Sequence, residues 1–424
     1  MQRFVSGSAF RACFIIIAAA LLAPGAARAQ AKGEGPSLDE KTKAAVDREV
    51  ERKMKEMEAA RWNVGLTPNG GGAFIKSPDG KTLFRLYGYA QPQLTWTDAA
   101  HKQTFGTTDF RVRRARLDFS ADYDDRFKLW IEIDGAPADG TSLVEAYAQG
   151  ALVRERLVLR FGKYISPFSS ENLRSSRALE TVERYLALNA MFGLPALDVQ
   201  FGPMLFGAID PGKKLSYQVA VFNGNSSAGA AAASGQRGNA RDNNSHKDFQ
   251  ARLNYKATPE LTFGGAYDND VEEAQTLTLS SYSGARFVTA AVKGKRIGWD
   301  ADAHFKRGKL AVEAEWLHAD FGDSAATLHG GFVHASYWVC GNEARGAQAV
   351  VRGEYQQADG DAFAAADGRT MTAVTVGTNL WWLGVARLQI DGILEHVNGN
   401  GNAGVYTSGS GWHPTLLSQF QVKF

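Results

Sequence analysis

Long apolar runs are missing from the sequence. The most extended one, residues 13–23, falls well short of the roughly 20 residues that a helix needs to cross a bilayer, and the mean hydropathy of the chain is −0.26. A helical membrane protein is therefore excluded. A transmembrane β-barrel is not excluded, because only every second residue of its strands faces lipid.

Cysteine is nearly absent, with Cys13 and Cys340 as the two examples in 424 residues. Cys13 belongs to the apolar run, which follows a basic start and precedes a small-x-small sequence at residues 27–29. That order is typical of a cleavable secretory signal, so residues 1–29 are predicted to be removed. Cys340 is then the single remaining cysteine, which excludes an internal disulfide and a cysteine metal cluster.

A large excess of charge of either sign is also missing. Without the predicted signal the formal net charge falls from +2 to −1, because that segment contains three arginines and no acidic residue. The mature chain therefore has no overall field that would draw it to nucleic acid or to anionic lipid. No nucleic-acid partner is predicted.

Residues 37–62 show helical periodicity. They contain neither Gly nor Pro, and Ser37 with Glu40 has the spacing of a capping box at a helix start. A short coiled coil is one interpretation, and a single amphipathic or largely disordered helix is the other. Residues 30–72 are predicted to be this helical segment and a linker. Its apolar stripe consists of Val46, Val50, Met54 and Met57.

From residue 73 onward, short segments alternate between apolar and polar residues and are separated by turn residues. In residues 127–134, the odd positions are apolar and three of the even positions are charged. Such strands have one apolar face and one polar, often charged, face. The same pattern recurs at residues 84–96, 249–255, 297–305, 310–316 and 420–424.

The connectors between about 16 predicted strands alternate in length. Short turns at one rim and long loops at the other are typical of a bacterial outer-membrane barrel, whereas a soluble β-sandwich needs neither this alternation nor so many strands. We predict an all-β, transmembrane antiparallel barrel over residues 73–424, with the N-terminal helix on the periplasmic side. The short connectors lie near residues 123–126, 151–156, 209–214, 256–260, 307–309, 340–347 and 381–384, and the long ones near 98–109, 135–142, 164–196, 223–246, 269–296, 320–329, 358–369 and 397–414.

The second predicted strand contains four arginines within FRVRRARLDF, residues 110–119. The alternation places Arg114 and Arg116 in the water-filled lumen, where a guanidinium group stays hydrated. Arg111 and Arg113 have the opposite parity. We expect them to lie at the rim, where a charge costs little, or to be re-aimed by a β-bulge.

Three segments and the strand layout resemble the phosphate-selective porin O and P family. They are VRRARLDF at 112–119, FGKYISPFSSENLRSSRALETVER at 161–184 and VAVFNG at 219–224. The resemblance covers roughly residues 74–424 and implies a sixteen-stranded, trimeric channel in the outer membrane of a Gram-negative bacterium. It also implies that the third extracellular loop, residues 164–196, folds into the lumen and narrows it.

The resemblance further implies a path of arginine side chains that leads anions to a constriction. Guanidinium groups suit this role, because their paired donors replace the water stripped from an oxyanion. By position, the family's paired strand arginines match Arg113 and Arg114, and its loop serines match Ser175 and Ser176. Its Glu-Arg at the loop end matches Glu183 and Arg184, and its acidic residue after the third strand matches Asp134. The predicted anion-binding and pore-lining residues are Arg113, Arg114, Arg116, Arg160, Arg174, Ser175, Ser176, Arg177, Arg184 and Asp134.

Two positions depart from the family pattern. Asn172 stands where phosphate-selecting members have a constriction lysine, and Tyr89 where a first-strand arginine is expected. Carboxylates on other predicted strands, among them Asp300 and Glu315, would offset part of the positive charge. The predicted function is passive diffusion of small anions such as phosphate or polyphosphate, with a weakly selective general porin as the alternative.

An outer-membrane enzyme and a plugged adhesin are the competing classes. The eight histidines follow no local catalytic motif, and no cluster of His, Cys and carboxylates has a recognised ligand spacing. No enzymatic activity, metal or cofactor is therefore predicted. The expected partners are small anions, outer-membrane lipid and further copies of the chain in a homotrimer.

Overall fold

A computed structural model describes the chain from residue 39 to its end, apart from several loops. The predicted signal, residues 1–29, lies outside the described residues. None of the described helices combines the length and the apolar character needed to cross a membrane. The described ranges are 39–98, 107–136, 141–192, 198–224, 245–282, 286–363, 370–398 and 411–424.

Helix α1 spans Glu40–Ala59 and confirms the predicted N-terminal helix. Its N-cap is Asp39, whose carboxylate accepts a hydrogen bond of 2.7 Å from the backbone N–H of Thr42. The predicted capping box, with Ser37 in that role, is therefore wrong, because the Asp39 carboxylate satisfies the free N–H group of the first turn. The predicted apolar stripe is exposed along the whole helix, and its role in a coiled coil stays a prediction.

Sixteen strands, β3 to β18, form a closed antiparallel barrel, which confirms the predicted fold class. Two short strands, β1 and β2, precede them and form a hairpin. The strands are β1 Asn63–Leu66, β2 Ala73–Lys76, β3 Thr82–Thr97, β4 Thr108–Tyr123, β5 Phe127–Asp134, β6 Ser142–Val153, β7 Leu157–Ile165, β8 Val199–Ala208, β9 Leu215–Phe222, β10 Asp248–Lys256, β11 Leu261–Ser280, β12 Arg286–Arg307, β13 Leu310–Phe321, β14 Ala326–Asn342, β15 Arg345–Gly360, β16 Thr370–Trp382, β17 Ala386–Asn398 and β18 His413–Lys423.

The barrel closes between its last and first strands. β18 pairs with the upper part of β3, between Thr97 and Tyr89, and β2 pairs with the next stretch of the same edge, residues 83–86. At the junction, the backbone N–H of Phe424 donates to the carbonyl of Gly88 at 3.0 Å, and the Gly88 N–H donates back at 3.3 Å. The chain end therefore fills the gap between the two paired stretches, which leaves no free edge there.

Short and long connectors alternate as predicted, with two exceptions. The predicted long loops near 269–296 and 320–329 are wrong. β11 and β12 pair with each other almost to their ends, so only residues 281–285 connect them, and residues 322–325 alone connect β13 and β14. The parts of β11 and β12 that were predicted as a loop contain β-branched residues, which favour strands, so the paired ladder continues there.

The third long loop joins β7 to β8 and covers residues 166–198. The predicted start at 164 is two residues early, because Tyr164 and Ile165 still pair with β8. The described part of the loop contains helix α2, a 3₁₀ turn and helix α3. These are Ser170–Leu173, Ser176–Ala178 and Leu186–Phe192, respectively.

The inner face of the barrel is charged in one part and apolar in another. On β13, Glu313 and Glu315 are followed on the same face by Leu317 and Phe321, which are completely buried. Helix α3 packs against this apolar inner surface, for example through Leu188. The third loop therefore shares a hydrophobic core with the inside of the barrel wall, on the side formed by β11 to β18.

Candidate functional site

A β-bulge in β4 turns its arginines toward the lumen. Gln91 of β3 faces Arg114, and the next residue of β3, a proline, faces Val112, so Arg113 is an extra residue without a partner in the ladder. Beyond the bulge the parity is reversed. Val112 then lies on the exposed outer face, while Arg111 and Arg113 point inward. Of the two arrangements expected for these arginines, the re-aiming bulge is confirmed.

Arg113 connects the barrel wall to the third loop through Glu183. Its Nε and Nη2 atoms donate to the two carboxylate oxygens at 2.7 and 3.1 Å. Arg111 and Arg114 lie 3.6 and 3.9 Å from the same carboxylate. Burial raises the pKa of Glu183, but the charges of Arg113 and Arg114 outweigh that effect and hold the pKa at about 2. One carboxylate thus faces three guanidinium groups.

Arg116, the next inward arginine on β4, is held by two carboxylates. Its Nε donates to Asp134 at 3.1 Å, and its Nη1 contacts Glu132. The other oxygen of Asp134 accepts the backbone N–H groups of Ala115 and Ala136, each at 3.0 Å. Asp134 therefore orients Arg116 and also fixes the end of β5.

Acidic residues on β12 and β13 hold the first turn of the third loop. Asp300 accepts the backbone N–H of Ser169 at 2.8 Å, and Glu315 accepts those of Ser170 and Glu171 at 3.0 and 3.1 Å. These two carboxylates were expected to weaken the positive field of the lumen. Asp300 also pairs with Arg252 at 3.0 Å, and the other oxygen of Glu315 accepts the hydroxyl of Tyr185 at 2.8 Å. Their effect on the field of the lumen stays a prediction.

Two arginines farther along the same side of the barrel, on β15 and β17, bind carbonyl groups of the same loop. Arg352 donates to the carbonyl of Glu183 at 2.9 Å and to the hydroxyl of Thr181 at 2.8 Å. Arg387 donates to the carbonyl of Leu179 at 2.7 Å. Sequence reasoning missed both arginines, although each lies on the polar face of a predicted β-region.

Glu180 is a further anchor of the loop. Its carboxylate lies 2.7 Å from Nε2 of His334 and accepts hydrogen bonds from Ser336 and Gln348 at 3.0 and 2.7 Å. Burial raises the pKa of Glu180, but the hydrogen bond and charge of His334 outweigh it and lower the pKa to about 2. The loop is thus bound to β14 and β15 as well.

Arg184 lies inside the third loop itself. Its guanidinium donates to the carbonyls of Glu171 and Arg174 at 3.3 and 2.8 Å and to the hydroxyl of Ser176 at 3.3 Å. Both Arg184 and Ser176 are buried. The structure therefore places these two predicted pore-lining residues in the packing of the loop, whereas neighbouring Ser175 is exposed.

The other predicted arginines keep contact with the lumen. Arg174 of the third loop pairs with Glu313 of β13, and Arg177 lies 4.0 Å from Asp118. Arg160, on β7, is half-buried and contacts aromatic rings. With the four arginines of β4, these side chains follow the inner wall from the third loop toward the short-turn end.

Residues 84–423 match the family described as phosphate-selective porin O and P. The chain belongs to this family. The chain is therefore an outer-membrane porin, and the members of this family are channels. Asn172, which is predicted to stand at the position of the family's constriction lysine, is buried, and its backbone N–H donates to the hydroxyl of Ser169 at 3.2 Å.

Solved structures of outer-membrane proteins share the fold of this porin. The anion-selective porin from Comamonas acidovorans superposes with a TM-score of 0.55 at 11% identity, over 81% of this chain and 100% of that one. The outer-membrane channel DcaP of Acinetobacter baumannii gives 0.53 at 12%, over 82% and 99%. The trimer form of OmpT from Vibrio cholerae gives 0.55 at 12%, over 81% and 100%. No curated protein sequence matches the chain significantly.

Proposed function

We propose that the porin lets small anions cross the outer membrane by passive diffusion. The supporting observation is that, in the ion pairs around the third loop, the guanidinium group is more exposed than its carboxylate. The exceptions are Arg114, which is more buried than Glu183, and Arg352, which is more buried than its partner Glu171 in the third loop. The exposed fractions of the two side chains are 34% and 11% for Arg113 and Glu183, 33% and 4% for Arg177 and Asp118, and 24% and 15% for Arg174 and Glu313.

This arrangement favours anions for an electrostatic reason. An ion in the lumen approaches the exposed guanidinium groups more closely than the carboxylates behind them, so the local potential is positive although the charges are nearly balanced in number. Each guanidinium offers paired donors to an oxyanion. Several weak sites in sequence lower the entry barrier without trapping the ion at one place.

We propose a broad range of small anions, with phosphate and polyphosphate among them. The family description names phosphate, but the buried Asn172 replaces the basic residue that phosphate-selecting members place at the constriction. The paired state of most lumen arginines supports the second candidate, a general porin with weak anion preference. The two candidates differ in the size of the preference and in the response to phosphate.

We also propose that the porin is a homotrimer. The trimer form of OmpT has the same fold, which supports this assembly. Helix α1 offers a second argument, because its exposed apolar stripe would be buried in a coiled coil of several copies.

Conductance in planar bilayers tests the proposed function. In a KCl gradient, the reversal potential should have the sign of a chloride-permeable channel, and phosphate should reduce the chloride current by competing for the same arginines. Arg113→Gln should reduce the anion preference. Arg126→Gln is the matched control, because Arg126 is exposed on the short turn between β4 and β5. A cation-selective or non-conducting protein would refute the proposal.

A further inference from the structure

A row of aromatic side chains crosses the inner wall of the barrel on strands β3 to β8. We call it the aromatic ladder and define it as Tyr87, Trp130, Tyr147, Tyr164 and Phe206. The ring centroids of its first four members are 5.8, 6.5 and 6.1 Å apart in sequence order. Such a row is unusual in a porin, because the lumen-facing side of a barrel strand is normally polar.

The register shows that the ladder faces the lumen. Trp130 pairs with Tyr147 across β5 and β6, and it shares its face with the lumen residues Glu132 and Asp134. Its sequence neighbours Leu129 and Ile131 lie on the exposed outer face. The rings therefore belong to the wall of the channel and not to its lipid-facing surface.

Arg160, Trp130 and Phe206 lie toward the short-turn end of the barrel, whereas Tyr164 is the eighth of the nine residues of β7 and lies at the end that leads into the third loop. Trp130 is the fourth residue of β5 and Arg160 the fourth residue of β7, and both strands begin at short turns. Phe206 is two residues from the end of β8, at the same rim. An ion that has passed the third loop would meet the ladder next.

Arg160 is enclosed by three rings of the ladder. Its guanidinium carbon lies 4.1 Å from the ring centroid of Tyr147, 5.3 Å from that of Tyr164 and 5.1 Å from that of Phe206. A cation over an aromatic face is attracted by the negative face of the ring. The rings therefore hold the charged group in place without neutralising it.

The same arginine has no acidic partner within 4.0 Å among the described residues. Its Nε and Nη2 atoms donate to the side-chain oxygen of Gln149 at 3.3 and 3.0 Å. Nη1 makes no hydrogen bond within the described part of the chain, and it is not a buried atom. Arg160 thus differs from Arg113, Arg116 and Arg174, each of which binds a carboxylate.

We propose that the aromatic ladder is a binding site for organic anions with a flat aromatic body, such as aryl carboxylates. The carboxylate would bind the open Nη1 of Arg160, and the aromatic body would pack against the half-buried rings of Trp130 and Phe206. This inference rests on the proposed anion function and adds a substrate class to it.

Two other ligand classes fit these residues less well. Inorganic phosphate has no apolar surface to gain from the rings. A neutral sugar would use the rings but needs carboxylate or amide partners for its hydroxyl groups, and the nearby candidates are engaged. Gln149 accepts from Arg160, and Asp122 lies 2.9 Å from Arg85 and 3.6 Å from Lys128.

Channel block by small probes tests the proposal on the complete trimeric protein in planar bilayers. Benzoate is the test ligand, acetate has the same charge without the ring, and glucose has a ring of similar size without the charge. Benzoate should half-block the current at a concentration about tenfold lower than acetate, as expected for added ring contacts, and glucose should not block. Calorimetric titration of the detergent-solubilised protein with benzoate detects binding that leaves the current unchanged.

Three variants separate the groups involved. Arg160→Gln should raise the half-blocking benzoate concentration about tenfold, because a charged hydrogen bond is lost. Trp130→Leu should bring the half-blocking concentration of benzoate close to that of acetate, since the aromatic ring is removed while the side chain stays apolar. Arg160→Lys keeps the charge. Compared with Arg160→Gln, it should restore the block by acetate more than the block by benzoate, because an ammonium group does not stack as a guanidinium does.

Arg85→Gln is the matched control, because Arg85 is a lumen arginine at the same end of the barrel that is paired with Asp122. It should leave benzoate block within about twofold of the unaltered protein. Equal block by benzoate and acetate in the unaltered protein, together with equal heats of binding, would overturn the ladder as a site. Equal effects of Arg160→Gln and Arg85→Gln would do the same.

The two proposals can fail separately. A chloride-selective reversal potential without preferential benzoate binding would refute the ladder and keep the anion channel. Benzoate binding that depends on Arg160, in a channel without anion preference, would refute the channel proposal and keep the ladder.

Discussion

Arg113 and Glu183 form a bidentate ion pair that joins strand β4 to the third loop, with donor–acceptor distances of 2.7 and 3.1 Å. The pair exists because a bulge at Arg113, one residue before Arg114, reverses the parity of β4. Without the bulge, Arg113 would face lipid, where a charge at mid-depth costs about 2–4 kcal/mol. A local irregularity of one strand therefore supplies the contact that positions the loop.

Replacing Glu183 should increase the anion preference of the channel. Glu183→Gln removes the one carboxylate that faces Arg111, Arg113 and Arg114, so one further positive charge acts on ions in the lumen. We expect the chloride-to-potassium permeability ratio to rise roughly two- to fivefold. This corresponds to about 0.4–1 kcal/mol, up to the energy of a charge interaction at close range in water. Reversal potentials in a KCl gradient measure this ratio.

The matched control for Glu183 is Glu155→Gln. Glu155 is exposed on the short turn between β6 and β7 and pairs with Lys213 at 2.7 Å. Replacing Glu155 changes the net charge of the protein by the same amount as Glu183→Gln but removes no contact to the third loop. An equal shift for both variants would mean that net charge, and not the site, sets the preference.

The contact of Glu183 with the arginines of β4 should persist in acid to well below the ordinary pKa range of a glutamate. Burial raises the pKa of Glu183, but the charges of Arg113 and Arg114 depress it from 4.5 to about 2. A depressed pKa stabilises the docked form fully above pH 4.5, and this contribution of roughly 3 kcal/mol is lost as the pH falls from 4.5 to about 2. The difference in open-channel noise and unit conductance between the unaltered protein and Glu183→Gln, followed from pH 7 to pH 2.5, reports this contact. A difference that is lost by pH 5 would contradict this assignment.

Much of the barrel was predictable because strand formation leaves a local trace. Residues 127–134 alternate in sequence, and the structure has a strand with the same bounds. The alternation fails as a guide where a second polypeptide segment covers the inner face. On β13, the change from Glu315 to Leu317 and Phe321 on one face marks the region where the third loop packs. That change is visible in the sequence and could have indicated the loop contact.

The contacts of the site were less predictable, because they join residues that are far apart in the chain. Glu315 accepts hydrogen bonds from Ser170 and Glu171, about 145 positions away. No local spacing indicates which carboxylates will bind loop backbone and which will face water. For the same reason, no pattern in the sequence separates the buried Arg184 from the half-buried Arg113.

Removing Arg184 should loosen the third loop. Arg184→Ala deletes three hydrogen bonds to the loop, which together contribute roughly 2–4 kcal/mol to its folding. We expect larger and noisier unit conductance, and we expect Arg184→Lys to behave similarly, because an ammonium group cannot reproduce the planar set of donors. Single-channel recording distinguishes this from a pore-lining role. Normal conductance in Arg184→Lys, with only a shifted reversal potential in Arg184→Ala, would support the pore-lining role.

A side chain at Gly88 should impair closure of the barrel. A Cβ atom there would lie 2.6 Å from the ring of Phe424 and 2.8 Å from the backbone oxygen of Arg116. The second contact cannot be relieved by a side-chain rotation, so Gly88→Val should lower the yield of folded, heat-modifiable barrel several-fold. Phe424→Ser, which removes the terminal ring, should lower the yield to a smaller degree. Gly353→Ala is the control, because nothing lies within 4 Å of its added Cβ. Equal yields of Gly88→Val and Gly353→Ala would show that the junction tolerates the extra atoms.

Cysteine crosslinking should show whether helix α1 forms a coiled coil between protomers. In a Cys340→Ser background, which removes the exposed native thiol, Val50→Cys lies on the apolar stripe, and Arg48→Cys lies roughly 160° around the helix from it. Oxidation should link protomers through residue 50 at least several-fold more efficiently than through residue 48, because stripe residues of neighbouring helices face each other in a coiled coil. Denaturing electrophoresis without reductant measures the linked fraction. Equal linking at both positions would indicate random collision of single helices, and absence of linking at both would place the stripe in contact with something other than another copy of α1.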